Sequence, residues 1–206
     1  MKFVISREAL LRPLQLVAGV VEKRQTLPVL SNILLDVKGQ QLSLTGTDLE
    51  VELVGRVTLE EVTLEGEITV PGKKLMDIVR SLPDGSMIEF EQDEQRINIR
   101  SGRSRFTLSS LPATEFPNIE EIAGEQPFTV EQAKLRRVID RVAFAMAQQD
   151  VRYYLNGMLL EVNASSLRSV ATDGHRLATC IVEASGPEAQ LQLIVPRKGI
   201  LELSKL

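Results

Sequence analysis

The chain has 206 residues, 43% hydrophobic and 25% charged, with a net charge of −4, which suits one large or two ordinary globular domains and excludes a disordered chain. No apolar run reaches the roughly 18 residues that span a bilayer, and Met1 to Ser6 carries no signal-peptide core, so no membrane association is expected. The single cysteine, Cys180, cannot staple the fold and sits in the apolar run Leu177 to Val182, which predicts a buried structural thiol and a reducing, cytoplasmic setting.

A strand is predicted over Lys2 to Ile5, leading into a helix with Ser6 at its N-cap and Ala9, Leu10, Leu14 and Val17 at helical spacing. Pro13 predicts a kink or a late start in that helix. Strands follow over Ile33 to Val37 and Leu42 to Thr45, joined by a Lys38-Gly39 turn, then over Glu50 to Val57 and Glu67 to Val70. Pro71 opens a second helix, Lys73 to Leu82, with Leu75, Ile78, Val79 and Leu82 on one face, and Pro83-Asp84-Gly85 ends it. Met87 to Phe90, Arg96 to Arg100 and Arg105 to Ser109 complete the set as strands. Glu60-Glu61 and Glu120-Glu121 fall in loop-like stretches and read as solvated charge.

The pattern then recurs. Leu30 to Val37 aligns with Leu155 to Val162 at an offset of 125, and the same offset places Phe3 on Phe128, Leu10 on Leu135 and Thr47-Asp48 on Thr172-Asp173. It also places Val70-Pro71 on Val195-Pro196 and Lys73 on Lys198. One gapless offset serving separated segments indicates two copies of an α+β unit with two helices on antiparallel strands. The expected domains are 1–124, a complete copy, and 125–206, a copy that stops inside its second helix.

Charge divides by element. The helical segments 6–24, 72–81, 131–149 and 197–206 hold 14 basic and 6 acidic residues, a net of +8, leaving −12 on everything else. Four basic helices at repeat-equivalent places favour a shared polyanion-facing surface over four unrelated solvated faces. No zinc-finger spacing or basic zipper suggests that bases are read, so sequence-independent phosphate contact is expected.

Chemistry is sparse. His175, Asp173 and Ser165 or Ser166 invite a hydrolase reading, but Thr172-Asp173-Gly174-His175 reads as a turn and no Gly-x-Ser-x-Gly elbow occurs. One histidine and one cysteine make no zinc set, and no phosphate-binding Gly-x-x-x-x-Gly-Lys loop is present, so no cofactor is expected. A phosphate-backbone-binding or partner-binding module is the other alternative.

The stretch Asp150-Val151-Arg152-Tyr153-Tyr154-Leu155-Asn156-Gly157, followed by Ala171-Thr172-Asp173-Gly174-His175-Arg176-Leu177-Ala178, resembles the bacterial DNA polymerase III beta subunit family, the beta sliding clamps. So do Thr45 to Glu50, Arg100 to Phe106 and Val195 to Gly199, and the resemblance covers essentially the whole chain. It implies repeated clamp domains, three to a chain with the third absent here, closed head to tail as a homodimeric ring around double-stranded DNA. Such a ring is a non-catalytic processivity factor that tethers the replicative polymerase. The resemblance implies DNA contacts at Arg24, Lys73, Gln149, Tyr153 and Tyr154. It also implies a cleft for short linear peptides of the polymerase, clamp loader and repair proteins, walled by Arg152, Leu155, Thr172, Gly174, His175, Arg176 and Leu177. Lys74, Arg96, Arg103 and Arg105 correspond to the basic side of the dimer interface.

Overall fold

The computed structural model describes residues 1–21, 27–117 and 128–205. The chain divides into two compact units, Met1–Ile119 and Glu120–Leu206. Arg24, the stretch around Gly124 and Glu120-Glu121 lie outside the described residues.

The first unit opens with β1 (Lys2–Ser6), which passes directly into α1 (Arg7–Ala18). Then come β2 (Asn32–Lys38), β3 (Gln41–Thr47), β4 (Glu52–Thr58), β5 (Glu61–Leu64) and β6 (Gly66–Pro71). After α2 (Gly72–Ser81) the unit adds β7 (Met87–Asp93), β8 (Arg96–Ser101) and β9 (Ser104–Ser109). One antiparallel sheet runs β4-β3-β2-β6 and a second runs β5-β1-β7-β8-β9. Helix α1 packs on β3 and β4, α2 packs on β2 and β6, and the two helices touch, so both cover one face of the first sheet. The core between these layers includes Leu10, Leu14, Leu35, Leu44, Leu75 and Phe90, all under 2% exposed. Phe3 stacks on Phe90 with ring centroids 4.7 Å apart.

The second unit contains α3 (Gln132–Val142), β10 (Gly157–Val162), β11 (Ser166–Thr172), β12 (Leu177–Glu183), β13 (Leu191–Pro196) and α4 (Arg197–Leu203). Its sheet runs β12-β11-β10-β13. Strands β3, β4 and β6, shifted by 125, coincide end to end with β11, β12 and β13. The strand orders of the two four-stranded sheets correspond member for member, and α3 packs on β11 and β12 as α1 does on β3 and β4. The architecture is α+β.

Four sequence expectations are corrected. Helix α1 does not start late at Pro13. It runs through it, because an added β-carbon on Gly55 of β4 would lie 2.8 Å from Pro13 Cβ, so the ring fills space that β4 leaves empty. The expected helix over 6–24 ends at Ala18, with the Gly19 N–H donating back to Leu16 O at 3.2 Å. The expected helix over 131–149 ends at Val142 and tightens into a 3-10 turn, Ala143–Ala145. Carbonyls just beyond the helix are taken by arginines: Arg197 Nη1 donates to Met146 O at 3.2 Å and Arg176 Nη2 to Phe144 O at 2.8 Å. Finally, Glu61 is not in a loop but begins β5, an edge strand pairing Val62 with Phe3. Exposed, charged edge strands show little apolar alternation, which hides them from pattern reading.

Gly55→Ala should therefore destabilise the protein by about 1–3 kcal/mol, since the new methyl must displace the Pro13 ring or bend β4. Urea unfolding of the two proteins measures it; an unchanged midpoint would show that α1 moves freely away from β4.

Candidate functional site

The turn between β11 and β12 is built by side chains just before it. Thr172 Oγ1 accepts the Gly174 N–H at 3.1 Å and donates to Arg176 O at 2.7 Å. Asp173 Oδ1 accepts the N–H groups of His175 and Arg176, each at 3.0 Å, and Asp173 Oδ2 accepts Arg176 Nε at 3.0 Å. These backbone donors, with the guanidinium, hold the Asp173 carboxyl below its ordinary range. The first unit builds the same turn: Thr47 Oγ1 accepts Leu49 N–H at 3.0 Å, and Asp48 Oδ1 accepts Val51 N–H at 2.8 Å. Gly174 has φ +88° and its counterpart Leu49 has φ +78°, so the geometry belongs to the Thr-Asp pair and glycine only lowers its cost.

A second segment packs beside this turn. Asp150 N–H donates to Asn156 Oδ1, and Asn156 Nδ2 donates back to Asp150 O, both at 2.9 Å. The Asp150 carboxylate accepts Arg152 N–H at 2.8 Å, Nε at 3.0 Å and Nη2 at 2.9 Å. The Arg152 guanidinium beside Asp150, then its backbone N–H, lowers that carboxyl to about 2. Between the two segments lies a cleft of about 310 Å³ whose walls include Phe144, Met146, Gln148, Asp150, His175 and Arg176. Arg176 lies over the Phe144 ring, 5.4 Å from its centroid.

The residues expected to form a peptide cleft are thus brought to one end of the sheet but divided. His175 and Arg176 line the cleft, and Arg152 rests on Gly174. Leu155 is buried, whereas Leu177 is 66% exposed at the start of β12. Phe144 and Asp150 were not singled out from sequence. An Asp-x-Arg step followed by Asn156 was the available signal for Asp150, and nothing in the sequence marks Phe144 as exposed.

Of the residues expected to meet DNA, Lys73 is exposed in the first turn of α2 and Gln149 is exposed with φ +57°. Adjacent tyrosines ordinarily divide, one to the core and one to solvent. Here Tyr153 is 83% and Tyr154 52% exposed, with rings edge to face at 6.1 Å. Arg24 lies outside the described residues. Lys74 is exposed on α2, while Arg96, Arg103 and Arg105 are exposed along the β8–β9 hairpin, where β9 is an edge strand.

The hydrolase arrangement does not form. Ser165 and Ser166 donate to Asn163 Oδ1 at 3.3 and 3.1 Å, at the opposite end of β11 from His175. At about 3.3 Å per residue, β11 separates hydroxyl from imidazole by roughly 20 Å. Cys180 is only partly buried, packed against the second unit's core from β12. Among the described residues no group of three or more His, Cys, Asp or Glu side chains is placed to hold a metal, and no helix is long and apolar enough to cross a membrane.

The helices carry the positive charge. The four α-helices among the described residues hold eleven basic and four acidic residues, a net of +7, and the rest of the chain holds thirteen and twenty-four, a net of −11. Arg12, Lys73, Lys74 and Arg80 of the first unit and Arg136, Arg137 and Arg141 of the second are exposed.

Comparison with known proteins places this architecture. The chain superposes on the crystal structure of DNA polymerase III subunit beta from Pseudomonas aeruginosa with a TM-score of 0.96 at 67% identity, and on Caulobacter crescentus pol III beta with 0.93 at 42%. Each match covers 100% of this chain and 56% of the other. A third structure, a Pseudomonas aeruginosa sliding clamp bound to griselimycin, matches with a TM-score of 0.94 at 67% identity over the same shares. The fold is therefore that of the clamp proteins, built from α+β units of this kind. Residues 1–120 match the profile of the DNA polymerase III beta subunit, N-terminal domain, and residues 129–206 that of its central domain, so the chain belongs to the DNA polymerase III beta subunit family. It is 68% identical over 207 residues to the beta sliding clamp of Pseudomonas aeruginosa and 51% over 206 residues to that of Escherichia coli. It spans 56% of the length of those relatives.

The depressed Asp150 and Asp173 carboxyls make a pH prediction. Both folded pKa values lie below the unfolded value of about 4, so each contribution is complete above that pH and is lost as pH falls through the folded pKa, which for Asp150 is about 2. The Arg152 Nε–H resonance should stay protected from exchange at pH 5 and lose protection as pH falls through about 2. Loss already at pH 5 would contradict the ion pair.

Proposed function

We propose that this chain is part of a DNA sliding clamp, a non-catalytic cytoplasmic processivity factor that closes as a homodimeric ring around duplex DNA. In this reading residues 1–124 and 125–206 are repeated clamp domains whose basic helices face the phosphates. The observation that carries it is the charge division, +7 on the helices against −11 elsewhere, with both helices of the first unit on one face of its sheet. Lys and Arg on such a face attract phosphate without reading sequence, while the remainder, net acidic, disfavours DNA on balance. A protein that must hold duplex and still slide needs that combination.

Lys73, Gln149, Tyr153 and Tyr154, with Arg24, are proposed to touch DNA. Exposed tyrosines offer stacking faces and hydroxyls for phosphate. The surface around Arg152, Leu155, Thr172, Gly174, His175, Arg176 and Leu177 is proposed to take short linear peptides of the replicative polymerase, clamp loader and repair proteins. Its exposed Leu177 and Phe144 supply apolar contact and Arg176 supplies donors. Griselimycin, bound by the Pseudomonas aeruginosa clamp, is proposed to seat on this same surface of the full-length protein, against the 172–176 turn. Lys74, Arg96, Arg103 and Arg105, beside the β9 edge, are proposed to form the basic side of the ring's subunit interface.

Binding of duplex DNA should weaken with salt and be indifferent to sequence. Lys73→Glu and Arg24→Glu should each weaken it uniformly across sequences and reduce the slope of log K against log salt by about 1. Fluorescence anisotropy over a salt series measures both. An unchanged slope in both variants would overturn the helix-lined DNA surface.

A further inference from the structure

The segment 149–156 carries two surfaces on one short piece of backbone. Tyr153 and Tyr154 face solvent, whereas Arg152 reaches the turn after β11. There Nη2 and Nη1 lie 3.1 and 3.3 Å from the position a β-carbon on Gly174 would take. Asp150 fixes both sides at once. Its carboxylate takes three hydrogen bonds from Arg152, and its backbone is closed onto Asn156 by a reciprocal pair. Leu155 N–H donates to Arg152 O at 2.8 Å and Asn156 N–H to Tyr153 O at 3.0 Å, so the tyrosines sit in a turn whose geometry follows Arg152.

The fold does not require this device. At the offset of 125 the counterparts of Asp150, Arg152 and Gly174 are Gln25, Leu27 and Leu49. The first unit closes its corresponding turn, Pro28–Ser31, with the Ser31 hydroxyl donating to Pro28 O at 2.7 Å. The same sheet order thus forms without the carboxylate, the guanidinium or the glycine.

We infer that the Asp150–Arg152–Gly174 contact is a latch that couples DNA on the tyrosines to a ligand at the 172–176 turn, each weakening the other. The inference rests on the clamp reading above. With the latch closed, Arg152 covers Gly174 and the 150–156 turn holds Tyr153 and Tyr154 in place. A ligand seated against Gly174 displaces the guanidinium, strips Asp150 of its two guanidinium donors and loosens the tyrosine turn. DNA on the tyrosines favours the closed state, and linkage makes the two effects equal. Asp150 is in this sense a positioning residue that acts through Arg152.

Fluorescent griselimycin titrated into the full-length protein, with and without saturating duplex DNA, tests the latch in wild type, Asp150→Ala and Arg152→Ala. DNA should weaken griselimycin binding about fivefold in wild type and leave it unchanged in both variants. Without DNA, Asp150→Ala should bind griselimycin as well as wild type or more tightly, which damage to the fold would not produce. If wild type binds both ligands and DNA leaves griselimycin affinity unchanged or raised, the latch is overturned and the clamp reading stands. A folded variant that keeps the wild-type ratio also overturns it. If Asp150→Ala does not fold, Arg152→Ala decides, because it removes the other half of the contact. Wild-type protein that binds neither ligand overturns the clamp reading, and the latch falls with it.

Discussion

Everything in each unit depends on how closely an amphipathic helix can approach an antiparallel sheet. In the first unit that approach is set by missing side chains. Gly55 leaves room for the Pro13 ring, and an added β-carbon on Gly46 would lie 2.8 Å from Val17 Cγ1. With α1 seated there and α2 beside it, the apolar faces of both helices are spent on the sheet and their charged faces point away from it. Basic residues such as Arg12, Lys73 and Arg80 are exposed for that reason. The charge division that supports the DNA-facing reading is a consequence of packing, and the second unit reproduces it with α3.

Much of this was legible in the residues because strands and helices impose different periods. Alternation in Leu42 to Thr45 and Glu50 to Val57 marked β3 and β4, and the offset of 125 carried the same boundaries to β11 and β12. What stayed hidden has physical causes. Where a helix gives way depends on what holds the chain beyond it, and the arginines that bind the Phe144 and Met146 carbonyls after Val142 are distant in sequence, at 176 and 197. Strand β5 is an exposed edge with one partly buried residue, Val62, and so lacks the alternation that pattern reading needs. Pro13 suggested a kink or a late start in α1, and only the folded chain shows the space at Gly55 that takes its ring.

The candidate site was legible in part. Thr172-Asp173 stood out through its match with Thr47-Asp48, and the two pairs build the same turn by the same hydrogen bonds. Exposure of both tyrosines was not legible, since nothing in Tyr153-Tyr154 says that neither ring reaches the core. Nor did spacing alone reveal that Arg152 would rest on Gly174, which requires the folded proximity of two turns. The hydrolase alternative failed for a converse reason: its residues are near in composition but separated by the length of β11.

The central claim is topological, that the full-length protein holds DNA by surrounding it rather than by tight contact. The direct measurement loads the full-length protein onto circular duplex DNA, removes free protein, and follows retention before and after a single cut. The account predicts stable retention on the circle and rapid release from the linear form at the same salt. Equal retention on both, or equal loss from both, would contradict it.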